Sequence, residues 1–242
     1  MIESQAWGQA AFPETRWSIV ARAGGDDPNA RRALEDLCQA YWFPLYVFAR
    51  RSGHSAPDAE DYVQDFFSQL LEKKLVERAN ADKGKLRTFL LTLFKRHIGD
   101  LRRRDEAEKR GGRLTKISID ANQAEEWLGD LEANEESAEQ LYERHWALSV
   151  LNAAVGRLRE DFRKRDRLSE FEAMRPFLTE SGTAEEYDLA AQKVGSNGNA
   201  FKTAISRMRQ KFGEALRAEV METKLDDEDI DEEIRHLVKA LG

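Results

Sequence analysis

The chain has little of what most catalytic or metal-bound proteins need. It holds one cysteine, Cys38, in 242 residues, which excludes a disulfide framework or a thiolate metal cluster within one chain. Its four histidines, His54, His97, His145 and His236, are dispersed and share no ligand spacing with each other or with Cys38, so no zinc site is supported. There is no glycine-rich phosphate loop, no GxSxG and no HExxH; Gly24-Gly25 and Gly111-Gly112 are isolated turn glycines. Apolar runs stay well short of the roughly 18 to 20 residues that cross a bilayer, and the opening MIESQAWGQAAF lacks a basic segment followed by an apolar one. The expectation is a cytoplasmic binding protein, not an enzyme, with no cofactor, metal or membrane association and a monomer by default.

Charge is plentiful but segregated. The formal net charge is -7, yet residues 83–116 carry twelve Lys and Arg against four Asp and Glu, and 202–217 is basic again. Residues 117–143 contain no Lys or Arg, and 219–233 is strongly acidic. Blocks of this kind let local patches bind a polyanion while the molecule as a whole stays acidic.

Strand signals are scarce and helical periodicity dominates. A first amphipathic helix is predicted from about Asn29 to Arg51, with Leu34, Leu37, Cys38, Tyr41, Trp42 and Leu45 inward and a kink or break at Pro44. A second starts at Ser55, where SAPD offers a cap and an acidic first turn, and carries Ala59, Tyr62, Val63, Phe66, Phe67, Leu70 and Leu71 on one face. A third, from about Lys85, turns Leu86, Phe89, Leu90, Leu93, Phe94, His97 and Leu101 inward. The segment FPETRWSIVARA suggests a small N-terminal helix on the same core, and the stretch from about Asp120 to Ser137 reads as a linker.

A second unit begins near Leu141, with Leu141, His145, Leu148, Leu151, Val155, Leu158 and Phe162 forming a stripe. Thr183 and Glu186 make a capping-box pattern before Tyr187, Ala190, Ala191 and Val194. After the GSNG turn at 195–198, Phe201, Ile205, Met208 and Phe212 line one helix face and leave Asn199, Lys202, Thr203, Ser206, Arg209 and Gln210 outward. A short helix, a glycine turn and a cation-bearing helix describe a helix-turn-helix, although short helical hairpins with basic outer faces also occur as plain structure. The carboxylates of DAED at 58–61 lie at a helix start, where they favour the macrodipole, and this outweighs a cation site.

Three segments in order carry a resemblance: DAEDYVQDFF at 58–67, LRTFLLTLFKRHIGDLRRR at 86–104 and YDLAAQKVGSNGNAFKTAISRMRQKF at 187–212. Together they resemble the extracytoplasmic-function (ECF) group of sigma-70 factors, in a subgroup with an FPETRW-like N-terminal and an acidic C-terminal extension. The resemblance implies an all-α chain of two small helical domains, a region 2 bundle and a region 4 helix-turn-helix, joined by an acidic linker. The expected divisions are an N-terminal extension at 1–28, region 2 at 29–116, linker at 117–140, region 4 at 141–217 and C-terminal extension at 218–242.

It also implies roles. Asp58, Glu60, Asp61, Gln64 and Asp65 stand where the family meets the β′ subunit of core RNA polymerase. Lys95, Arg96, His97, Arg102, Arg103 and Arg104 stand where it engages and melts the minus-10 promoter element. Asn199, Lys202, Thr203, Ser206, Arg207 and Arg209 face the minus-35 duplex. The implied partners are core RNA polymerase (β′ and β) and promoter DNA, with an anti-sigma factor or a serine/threonine kinase as candidate regulators. Two other classes share the pattern: a stand-alone helix-turn-helix regulator, and a helical adaptor without DNA binding. The apolar stripe Ile230, Ile234, Leu237, Val238 and Leu241 predicts a final helix, which either supports region 4 or lays acidic residues 226–233 against a DNA-binding face.

Overall fold

The computed structural model describes residues 28–72, 85–105, 135–223 and 229–242, and side chains within these except at 28–36, 39, 71, 72, 104 and 105. The N-terminal segment around FPETRW and nearly all of the acidic linker therefore lie outside the described residues. Among the described residues there are eight α-helices and one 3-10 turn, and no strand. In chain order they are α1 (Pro28–Arg51), α2 (Ala56–Glu72), α3 (Leu86–Asp105), α4 (Ala138–Lys164), α5 (Leu168–Met174), the 3-10 turn Arg175–Phe177, α6 (Ala184–Lys193), α7 (Gly198–Glu222) and α8 (Ile230–Leu241).

The helices begin where local chemistry says they should. Ser55 Oγ accepts from the Asp58 N–H at 3.3 Å and donates to the Asp58 carboxylate at 2.6 Å. Ser137 with Gln140, and Thr183 with Glu186, form reciprocal capping boxes at the starts of α4 and α6. Of the two outcomes predicted at Pro44, the break does not occur: α1 runs through it as one helix. An interior proline costs about 3 kcal/mol. Tyr41, Trp42, Leu45, Tyr46 and Val47 around it are each at most 1% exposed, and burial at about 1.5–3 kcal/mol per large side chain offsets that cost several-fold.

Buried side chains form two clusters. The first joins α1, α2 and α3 through Trp42, Tyr46, Phe66, Phe67, Leu90 and Phe94, and it also takes in Tyr142, Trp146, Ala147 and Val150 of α4, Val220 of α7 and Leu237 of α8. The second packs Leu158 of α4 with Phe171, Met174, Phe177, Ala190, Ala191, Phe201, Ile205 and Met208. One 27-residue helix, α4, thus contributes to both. This changes the predicted stripe. Leu148 is exposed, and the first half of α4 instead buries Tyr142, Trp146 and Val150, because that half packs against α1, α7 and α8 together and a one-sided apolar pattern describes only a helix with one neighbour.

The final helix differs in detail too. Leu237 is buried and Ile230, Ile234 and Leu241 rest on the first cluster, but Val238 is 60% exposed while Glu233 is only 3% exposed. A buried carboxylate needs cationic partners, and the reason for its burial lies on α3.

Candidate nucleic-acid interface

On α2 the five residues expected to meet a partner fall into different environments. Asp58 and Asp61 are exposed, although Asp58 is engaged in the helix cap. Glu60 is half-buried and accepts from Gln64 Nε2 at 2.9 Å. Gln64 itself is buried, so its amide orients Glu60 instead of facing solvent. Asp65 accepts from Gln69 Nε2 at 2.8 Å and lies 3.2 Å from His97 Nε2.

That last pair fixes His97. It is 9% exposed with its ring 5.8 Å from that of Phe66, so it ties α3 to α2 beneath the surface where it was expected to meet nucleic acid. Lys95, Arg96, Arg102 and Arg103 are exposed on α3, and the i, i+7 spacing puts Lys95 with Arg102 and Arg96 with Arg103 on one side of the helix. Lys95 bonds Glu139 at 2.6 Å and stands 5.2 Å over the Phe48 ring. That hydrogen bond holds the Glu139 carboxyl below the usual range. Arg103 pairs with Asp100 one turn earlier. The backbone of α3 includes Arg104, whose side chain lies outside the described residues.

The second basic face is built by α6 and α7. Helix α6 ends in a Schellman arrangement, with Ser196 N–H donating to Ala191 O at 2.9 Å and Gly195 N–H to Gln192 O at 3.2 Å. Gly195 adopts φ +66°, which costs a residue without Cβ nothing. Asn197 then caps α7 by accepting from Ala200 N–H at 2.9 Å. Phe201, Ile205 and Met208 are buried, and Asn199, Lys202, Thr203, Ser206 and Arg207 are exposed. Lys202 Nζ lies 5.3 Å from the centre of the Tyr187 ring; Thr203 Oγ1 donates to Asn199 O at 3.0 Å. Arg209 departs from expectation. Its Nε donates to Phe177 O at 2.9 Å and an Nη to Glu180 O at 2.7 Å, because the chain leaving the 3-10 turn presents carbonyls that no helix satisfies.

Two exposed basic helix faces, one of them over a compact three-helix aromatic core, set the frame for comparison with known proteins. Residues 37–108 match the sigma-70 region 2 family. The match begins inside α1 and runs just past α3, so it covers the part of the first cluster that α1, α2 and α3 supply, with the α3 cations, and it implies a part in transcription initiation. No curated protein and no solved structure matches the chain.

Within region 2 the structure reveals a charged residue that periodicity did not single out. Arg87, at the start of α3, is 3% exposed. Its Nε donates to Glu143 of α4 at 2.6 Å, an Nη pairs with Glu233 of α8, and its guanidinium lies 4.4 Å from the centre of the Trp146 ring. Lys85 reaches Glu233 at 2.7 Å, and His236 Nε2 lies 2.9 Å from Glu143. The Tyr142 hydroxyl donates to Arg87 O at 2.9 Å, and burial pushes that phenol well above its ordinary pKa. Guanidinium between two carboxylates and an indole face is the arrangement in which a buried cation is best compensated. Among the described residues no cluster of three or more His, Cys, Asp or Glu is arranged to hold a metal, and no helix is long and apolar enough to cross a membrane.

Proposed function

We propose that this protein is a sigma factor of the ECF type, with the sigma-70 region 2 match at 37–108 as the observation that carries the reading. It acts by binding and catalyses no bond formation itself. Asp61 and Asp58 on α2, with Glu60 beside them, meet a basic coiled coil of the polymerase β′ subunit, contributing mainly orientation and on-rate. Arg96, Arg102, Lys95 and Arg103 on α3 hold phosphates where the minus-10 strands part.

The α6–α7 hairpin then serves as the region 4 helix-turn-helix. Asn199, Lys202 and Thr203 lie in the first turns of α7, the part of a recognition helix nearest base edges, and Ser206 and Arg207 follow towards the backbone. Arg209 holds the hairpin together and takes no part in this contact.

The test is factor-dependent initiation with purified core RNA polymerase and promoter DNA. The full chain is expected to bind core and start transcripts at selected sites, and Asp61→Arg is expected to weaken core binding while leaving duplex affinity unchanged. Complete absence of core binding sinks the reading; duplex binding in that absence identifies a stand-alone regulator instead.

A further inference from the structure

Resting on that reading, we propose that the C-terminal helix α8 is an autoinhibitory clasp: it locks the two DNA-facing units into a closed body too short to engage both promoter elements, and it must leave Arg87 for initiation to proceed.

The first ground is reach. In the closed body α4 runs from one cluster into the other, and only eight residues, about 12 Å of helix, separate Val150 in the first from Leu158 in the second. Val220 at the far end of α7 is buried in the first cluster, which puts Lys202 about 27 Å along α7 from it. Adding the thickness of two helices for the α1–α3 bundle gives about 50 Å from the α3 cations to the first turns of α7. Elements centred 10 and 35 positions before the start site are 25 base pairs apart, about 85 Å of duplex. The closed body falls short by tens of ångströms, and the number of residues between Asp105 and Glu135 sets an upper limit of about 95 Å on the span of that connection.

The second ground is where α8 sits. It packs chiefly on α4 and α7 and reaches the remaining unit through Glu233, which meets Lys85, just before α3, and Arg87 of α3; His236 meets Glu143 of α4, and Asp231 pairs with Arg217 of α7 at 2.6 Å. Leu237, between these charges, is buried in the first cluster. The described acidic residues do not cover the outward face of α7; they hold its other end. Glu139, at the start of α4, meanwhile occupies Lys95 on the candidate minus-10 face. Closure therefore both shortens the molecule and engages one of its cations.

The third ground is the character of the joint. Its centre is ionic, and a desolvated ion pair returns much of its attraction when both partners regain water or new charged neighbours. A joint of this kind suits release better than an all-apolar one of equal area.

A zero-length carbodiimide crosslink tests the clasp in the full chain. Lys85 and Glu233, 2.7 Å apart, should join in the free protein, and the yield of that peptide pair should fall at least about fivefold when core polymerase and promoter DNA are added at saturation. Leu237→Ala, which keeps both crosslinking groups, should lower the yield in the free protein and raise initiation at limiting core by about fivefold; Glu233→Gln should raise it similarly, with a thermal melt confirming that each variant folds. An absent Lys85–Glu233 product in the free protein overturns the docked clasp. Core binding with an undiminished crosslink overturns release while leaving the sigma reading intact. No core binding by any of these proteins overturns the sigma reading, and the clasp with it.

Discussion

The cations of α3 and those of α7 reach solvent under opposite conditions. On α3, Lys95 is held by Glu139 and stands over Phe48, Arg103 is paired with Asp100, and Arg87, the second residue of the helix, is buried. On α7, Lys202 stands over the Tyr187 ring, Thr203 bonds the Asn199 carbonyl of the same helix, and Ser206 and Arg207 are exposed over a small cluster of their own. Two basic helices thus give one face that is partly engaged and one that is presented. The difference arises beneath the surface, because the first cluster is shared by α1, α2, α3, α4, α7 and α8 and brings their carboxylates close to α3.

The strongest way to break this contrast is to remove the side chain through which α4 enters the first cluster. Trp146→Ala should cost about 3–5 kcal/mol of unfolding free energy by urea denaturation, and it should free the α3 cations while leaving the α7 face as it is. Next comes Arg87→Ala, which leaves Glu143 and Glu233 facing each other without their shared cation. A loss of about 3 kcal/mol is expected, and Arg87→Met should recover much of it, since an apolar substitute of similar volume fills the site at little net cost. If Arg87→Met proves worse than Arg87→Ala in the same denaturation series, the buried cation is not replaceable by packing and the compensation described above is wrong.

Acid should act on the first region before the second. Burial beside the Phe43 ring, with Arg144 adding to it, lowers the pKa of His145 from 6.5 to about 4. Between those values the unfolded chain carries a proton on this residue that the folded chain refuses, so stability is full above about 6.5, falls as pH drops, and levels off below about 4. The loss should be on the order of 1–2 kcal/mol after allowance for residual solvent contact, and His145→Phe should flatten it in a melting series from pH 7 to 4. The smallest effect is expected on the open face. Lys202→Ala should weaken minus-35 duplex binding by about 1 kcal/mol and lower the salt slope by about one, with no change in melting temperature; a shift in melting instead would mean that Lys202 is engaged as fully as Lys95.

Much of this was legible in the sequence wherever the physics is local. The caps at Ser55 and Thr183, the Gly195 turn and the apolar face of α7 depend on residues within four positions of each other, and local motifs and periodicity find such sets. What it missed depends on distant partners. Arg87 reads as one cation among many because Glu143 lies 56 positions away, and burying a charge is costly until such a partner is known. Arg209 read as a residue facing the minus-35 duplex because the carbonyls it binds, at Phe177 and Glu180, belong to another turn of the chain. His97 was placed both inward by periodicity and on the nucleic-acid face by family position; the structure resolves this inward, against Asp65. Leu148 and Val238 show the complementary error, since a regular stripe cannot say how many neighbours a helix will have.

Helix α4 carries a further consequence, for cooperativity. A rigid helix that supplies walls to two cores couples their fates: melting the second cluster frays the helix that carries Trp146, and melting the first exposes the helix on which Leu158 packs. Small domains joined by a loose tether unfold independently, each at its own midpoint. Here the two clusters are one thermodynamic unit for as long as α4 remains continuous, and calorimetric and van't Hoff enthalpies for the closed chain should agree.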